Sequence, residues 1–313
     1  MSSTLAAQQR VSRTAYDCAG VRATVFASTQ CRSFDYLAAD LVSSSSASIR
    51  ARAGVALLRL GATALTSAIV SRTSPGVDVF LFARQAVPDA MAREALDADP
   101  DSQVVILGAG LDTSGLRIGA ERRTAGKSPG TFFEVDLPAT QAEKRTQVTR
   151  LLRKWPDLDE SNLVYVPCSF GDDEIGTALR GAGFDASKPT LWVWSGVIHY
   201  LPEEAVRASV AELRNLSSAG SRLFFDFILL EAYDRPDKYG FARNKARFDA
   251  FGEVMSFGFR EGTEHVREWL EAQGLSLVRT YTNLDMVSLY EEKTGRPAPS
   301  RGTPWSNLCV AEF

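Results

Sequence analysis

The residues best placed to do chemistry sit in one short turn and at the tips of the apolar runs around it. Gly108-Ala109-Gly110-Leu111-Asp112-Thr113 follows the apolar run 103–107. Glycine has no Cβ, so the chain can turn sharply there and a ligand can touch the backbone. A lone Gly-x-Gly is a weak signal, because many buried turns need glycine merely to turn. A dinucleotide site would place a third glycine at 113, letting the helix pack close and the pyrophosphate sit on its N-terminus. Here that residue is Thr113, and the Asp112 carboxylate beside it would repel a pyrophosphate. The turn suits a cofactor with a sulfonium and an amino group and no phosphate, which favours S-adenosylmethionine over NAD.

The next run, 131–135, ends in Phe133-Glu134-Val135-Asp136. Alternation along a strand puts Glu134 and Asp136 on one face. Asp136, at the mouth, is the better acceptor for two ribose hydroxyls; the bland alternative is a surface acid before Pro138. The spacing from Gly110 exceeds the ~20 residues of the dinucleotide pattern, and the loop 120–130 absorbs the excess. A later run ends in Ser195-Gly196-Val197-Ile198-His199-Tyr200. His199 reads as a general base, as a substrate hydrogen bonder, or as a partly buried histidine fixing the turn. Tyr200 and at least one of Trp192 and Trp194 read as core. Methyl transfer needs nucleophile and methyl held in line. A carboxylate acceptor needs no base at neutral pH, whereas a phenol benefits from one with a pKa near the working pH.

These tips need elements to hold them. Residues 1–100 read as helical, rich in Ala, Arg and Leu, with a serine loop at 43–46 and a turn at Thr73-Ser74-Pro75-Gly76. Beyond 101, apolar runs at 103–107, 131–135, 163–166, 190–194, 221–229, 275–281 and 307–313 read as strands, with helices at 139–154, 203–216 and 261–273 between some of them. The alternation predicts an α/β fold with a mostly parallel sheet and helices on both faces. About 45 residues separate the fifth and sixth runs, far more than an ordinary connection. The Phe- and Met-rich stretch 249–258 inside that gap predicts a helical insertion, about 230–272, covering a pocket. A plain helical decoration is the alternative.

Composition narrows the classes. The chain has 313 residues, 45% hydrophobic, with a formal charge of -3 and dispersed Lys and Arg. No basic footprint argues for nucleic acid. Neither a signal peptide nor a membrane span is read, since the apolar stretch 55–70 is short and interrupted by polar residues. A cytoplasmic protein is expected. Cys18, Cys31, Cys168 and Cys309 are far apart, which predicts free buried thiols rather than a metal site, and the two histidines do not suggest a metal site either.

Several motifs together resemble the leucine carboxyl methyltransferase family, in particular its bacterial branch, which includes tetracenomycin-type polyketide carboxyl methyltransferases. They are Val104–Thr113 with Arg117, Phe133-Glu-Val-Asp-Leu-Pro138, Gly183–Thr190, Gly196-Val-Ile-His-Tyr-Leu201 and Val11-Ser-Arg-Thr-Ala15. The resemblance runs along almost the whole chain. It implies a class I methyltransferase (Rossmann-like) fold: a seven-stranded sheet whose last strand is antiparallel, an N-terminal helical cap over 1–100, a methyltransferase domain over 101–313, and S-adenosyl-L-methionine as cofactor. It implies that Gly108, with Ala109 and Gly110, touches the cofactor, that Asp136 with Leu137 holds its ribose, and that Arg84 pairs with its methionine carboxylate. Arg22 matches the family's N-terminal basic contact. Two positions depart from the family: Ser169-Phe170 stands where Asp-Leu meets the adenine, and Ser195 where some members have glutamate. The implied activity is O-methylation of a small carboxylate or phenol, a secondary metabolite, by a protein that can form a homodimer. A non-catalytic or protein-carboxyl-methylating member of the fold and an NAD-linked oxidoreductase are the alternatives.

Overall fold

The computed structural model describes residues 13–43, 49–169, 174–250 and 254–313. Five helices come first: α1 (Arg13–Thr29), α2 (Ala38–Ser43), α3 (Ile49–Arg59), α4 (Thr63–Thr73) and α5 (Val77–Ala98). The expected turn at 73–76 separates α4 from α5, and Gly76 takes φ +81° there. Residues 44–48, most of the expected serine loop, lie outside the described residues, as do residues 1–12.

The alternating part follows as β1 (Gln103–Leu107), α6 (Ser114–Thr124), β2 (Thr131–Asp136), α7 (Pro138–Lys154), β3 (Leu163–Pro167), α8 (Ile175–Gly181), β4 (Thr190–Trp194), α9 (Glu203–Asn215) and β5 (Arg222–Leu229). Then come α10 (Leu230–Asp234), α11 (Ala242–Ala250), β6 (Gly258–Phe259), α12 (Glu264–Ala272), β7 (Ser276–Tyr281), α13 (Asn283–Thr294) and β8 (Ser306–Glu312). The helix ends have local causes. Pro138 opens α7, where a missing N–H costs nothing, and Arg153 and Lys154 close it against the dipole. Glu203 and Glu204 occupy the first turn of α9. A Thr282–Asp285 capping box starts α13, and Gly295 in the left-handed region ends it.

The strands pair in the order β3-β2-β1-β4-β5-β8-β7. β8 is antiparallel to both neighbours, whereas β1 to β5 are parallel. The seven expected strands are all present; β6 is an addition, two residues paired alongside the end of β5. Alternation divides the sheet between two cores. Val104 and Ile106 pack with Phe132, Leu191, Val193 and the N-terminal helices, while Val105 and Leu107 pack with Phe133, Trp192, Trp194 and residues of α8, α9 and α12. Burial on both faces explains why these strands read as continuous apolar runs. The order reverses between β1 and β4, the place where such sheets bind ligands, beyond the strand C-termini.

Candidate cofactor and acceptor site

The Gly108 turn opens at that reversal. Gly108 and Ala109 donate their N–H groups to the Val135 carbonyl at 2.8 and 3.1 Å, binding the turn to the end of β2. Gly108 has φ +70°, and a Cβ there would come within 2.4 Å of a Val197 methyl. No other residue satisfies both constraints. The missing third glycine has a substitute further on: Gly115 lets α6 rest on Phe132 and Leu163, where a Cβ would be 2.3 Å from the Leu163 side chain.

Asp136 faces this turn. One carboxylate oxygen accepts the Gly110 N–H at 2.6 Å and the other the Leu137 N–H at 2.7 Å. Its burial raises its pKa and these hydrogen bonds oppose the rise. Glu134, the other acid on that face, is taken out of contention: it is buried against Lys144 at 2.5 Å. Burial pushes Glu134 upward while Lys144 pulls it back. The choice of Asp136 over Glu134 therefore has a structural cause.

Asp112 lines the same cavity but is tethered. It accepts from the Ser114 N–H at 2.7 Å and from Gln85 at 3.2 Å. Burial alone would raise its pKa, yet Lys144, Arg22 and Arg117 hold it below the ordinary value. Arg22 is also committed. It pairs with the fully buried Asp35 at 2.8 Å and donates to the Leu111 carbonyl at 2.6 Å, so it braces the turn from behind. Arg22 also lines the cavity, so the expected basic contact would come from a guanidinium already held by Asp35 and Leu111.

Arg84, on α5, reaches the far side of the cavity. Its guanidinium lies 3.5 Å from Asp226, 3.7 Å from the Cys18 sulfur and over the Phe80 ring. Asp226, on β5, is 2% exposed and also accepts the Gly196 N–H at 2.5 Å, fixing the turn after β4. Ser195 and His199 follow on that turn, and both line the cavity. The Ser195 hydroxyl and the His199 Nδ1 are buried with no hydrogen-bond partner. Burial drives the His199 pKa down to about 4, which leaves the imidazole neutral at pH 7. Ser169 and Leu137 line the cavity near Asp136, and Phe170 lies outside the described residues.

One cavity of about 750 Å³ joins these groups, within the range of small-molecule sites. Its far wall is apolar, with Phe80, Ile228 and Trp305 joined by Phe248, Val254 and Met255 from the expected insertion. Sequence reading missed Asp226, Asn244 and Gln85. The available signal was an aspartate interrupting the apolar run Phe224-Phe225-Asp226-Phe227, a costly break in a strand buried on both faces. The expectation of buried thiols needs a correction: Cys168 and Cys309 are buried, but Cys18 and Cys31 are partly exposed, and Cys18 lines the cavity. Among the described residues no cluster of three metal-ligating side chains forms, and no helix is long and apolar enough to cross a membrane.

Comparison with known proteins bears on this geometry. The leucine carboxyl methyltransferase family model matches residues 17–213. A protein of Mycolicibacterium smegmatis, provisionally named an S-adenosyl-L-methionine-dependent methyltransferase, is 31% identical over 73% of this chain and 71% of its own. One of Mycolicibacterium gilvum with the same provisional name is 30% identical over 60% of this chain and 59% of its own. The match thus spans well under two thirds of the latter's length. Among solved structures, a duf574 family protein of Streptomyces avermitilis superposes with a TM-score of 0.55 at 19% identity, covering 80% of this chain and 90% of its own. A structure from Thermobifida fusca, provisionally named a methyltransferase, gives 0.53 at 18% identity, over 88% and 92%. The sheet order and these likenesses establish the class I, Rossmann-like methyltransferase fold.

Proposed function

Because the chain belongs to the leucine carboxyl methyltransferase family, we propose that it is an S-adenosylmethionine-dependent O-methyltransferase acting on a carboxylate or phenolic oxygen of a small molecule of secondary metabolism. The observation that carries this is the carboxylate of Asp136, anchored on the Gly110 N–H at the sheet's reversal point. When bound, S-adenosylmethionine supplies a methyl group activated by its sulfonium. The residues present suit it. Gly108, at φ +70° with a Val197 methyl where a Cβ would sit, keeps the turn's backbone bare beside the cavity. Asp136 keeps lone pairs for two ribose hydroxyls, and Arg84 offers a forked grip for the methionine carboxylate. Gly108, Ala109 and Gly110 bring backbone against the ligand, with Asp112, Leu137, Ser169 and Ser195 around it. Asp112 at the turn would meet a pyrophosphate with like charge, and Thr113 stands where the third glycine would be, which disfavours NAD. In this reading residues 1–100 cap the site, and the 230–272 insertion forms its lid over the acceptor.

Calorimetry with S-adenosylhomocysteine tests the reading. Binding on the order of micromolar Kd is expected, and Asp136→Ala, losing charged hydrogen bonds of about 1.5–3 kcal/mol, should weaken it roughly ten- to a hundredfold. Binding of NADH without binding of S-adenosylhomocysteine would overturn it. Alkali-lability of the methylated product then separates an ester from an aryl ether.

A further inference from the structure

We infer that Asn244, on the insertion helix α11, reads a hydroxyl or keto group on the acceptor's ring system, remote from the oxygen that is methylated. The inference rests on the methyltransferase reading and deepens it. It concerns how the acceptor's body is recognised, and it holds for a carboxylate and a phenolic acceptor alike.

Two observations carry it. First, Asn244 is 4% exposed and lines the cavity. Its neighbours on the helix are engaged, Arg243 on the Arg72 carbonyl and Lys245 on Asp249. The Asn244 side-chain amide has no hydrogen-bond partner among the described residues. An asparagine amide offers two donors and a carbonyl oxygen. Leaving such a group buried and unpaired is costly, and in a native fold it calls for a ligand. A leucine would fill the same wall without that cost.

Second, the amide belongs to the part of the cavity that the insertion builds. Of the insertion's described residues lining the cavity, Phe248, Val254 and Met255 are apolar and Asn244 alone is polar. Asn244 and Phe248 are one turn apart, so they share a face of α11. A row of rings joins this face to the cofactor's proposed carboxylate grip. The Arg84 guanidinium lies 5.3 Å over Phe80, Phe80 packs on Trp305 at 5.8 Å, and Trp305 packs on Phe241 at 4.9 Å, three residues before Asn244. The proposed cofactor contacts come from other elements. The insertion is fastened around this face: Arg247 pairs with Asp17, and the Ser256 N–H donates to the His199 carbonyl at 2.9 Å. Aromatic walls suit a flat, unsaturated body, and a single polar group among them fixes how that body lies. A ring hydroxyl can donate to the amide oxygen or accept from its N–H, and a keto oxygen can accept from it. A bare ring C–H does neither, and a site built to hydrogen-bond a polar group rejects the analogue that lacks it.

The test uses the intact protein saturated with S-adenosylhomocysteine, with calorimetry on matched probes. The pairs are 6-hydroxy-2-naphthoate against 2-naphthoate, 2,6-dihydroxynaphthalene against 2-naphthol, and anthraquinone-2-carboxylate against anthracene-2-carboxylate. In at least one pair the oxygenated member should bind about tenfold or more tighter than its parent. Asn244→Leu should bring that ratio to within about twofold while S-adenosylhomocysteine keeps its wild-type affinity. Asn244→Ala, which adds no bulk, is measured alongside and should do the same, so that a packing fault in the leucine variant is recognised. No preference for an oxygenated member in any pair, or a preference that survives both substitutions, would overturn the inference. So would a loss of S-adenosylhomocysteine affinity in both folded variants, which would put Asn244 on the cofactor. Failure of S-adenosylhomocysteine to bind the wild-type protein would instead overturn the underlying methyltransferase reading.

Discussion

His199 is 6% exposed, and its neutrality has a cost that shows as pH dependence. Burial is the main cause of its fall to about 4, with Arg84 acting in the same direction and Asp226 against it. An unfolded histidine titrates near 6.5. Between those values the unfolded chain holds a proton that the folded protein refuses, so acid favours unfolding. This contribution is fully present above pH 6.5 and is lost as pH falls toward 4; a displacement of that size is worth ~3 kcal/mol. Replacing His199 with Gln removes the titration. Urea melts of both proteins at pH 7.5 and 4.5 should show wild type losing at least about 1 kcal/mol more than the variant across that interval. Parallel losses would show that the imidazole is not held neutral. Asp136 shows the other face of residue-scale design. Its neighbour Glu134 has the same chemistry two positions earlier, but it is buried against Lys144 while Asp136 lines the cavity.

At the scale of elements, the turn is held by a buried ionic web that joins the first helices to the sheet. Arg117 of α6 pairs with Asp89 of α5 at 2.8 Å, lies 3.7 Å from Asp35, and its Nε donates to Thr113 at 2.8 Å. Thr113 in turn donates to Asp35 at 2.7 Å, and Gln85 links Asp89, Asp112 and Ser114. Arg117→Met keeps the bulk but leaves Asp89 without its counter-ion and Asp35 with Arg22 alone. Breaking a buried pair in this way costs about 3–5 kcal/mol, which denaturant melts should register; a loss under about 1 kcal/mol would mean the web is not stabilising the turn. The long-range pairs of this web were not legible in the sequence, since Asp35 and Thr113 are 78 positions apart. The strands were legible because apolar runs bounded by glycine and proline need no partner to be recognised. So was α9, read at 203–216, where Pro202 precedes a first turn carrying Glu203 and Glu204. The helix α13 was missed although its Thr282-x-x-Asp285 capping box was there to read, and β6 was missed because two residues carry no period. Gly108 and Asp136 could be found because chain-local geometry marks them, whereas Asp226 and Asn244 acquire a role only when β5 and α11 reach the cavity.

For the whole molecule, the question is how a ligand enters a cavity that three separate parts of the chain enclose. α1 contributes Thr14 and Cys18, α5 contributes Phe80 and Arg84, and the insertion contributes Asn244, Phe248 and Met255. The insertion is fastened to the first helices by two arginines of α11. Arg247 pairs with Asp17 of α1, and Arg243 donates to the Arg72 carbonyl at the end of α4 at 2.6 Å. Both contacts are partly exposed, at the rim rather than in the core, so each is worth little to global stability, about 1 kcal/mol or less. Their consequence is kinetic, because release of a bound ligand requires the insertion to part from α1 and α4, and such openings set many release rates. The double replacement Arg243→Ala with Arg247→Ala should therefore raise the dissociation rate of S-adenosylhomocysteine several-fold while shifting the melting temperature by only a few degrees. Stopped-flow fluorescence can follow this through Trp305, which lines the cavity. An unchanged dissociation rate would show that the ligand leaves by a path that does not part these elements, and a large loss of stability would show that the arginines secure the fold rather than the entrance.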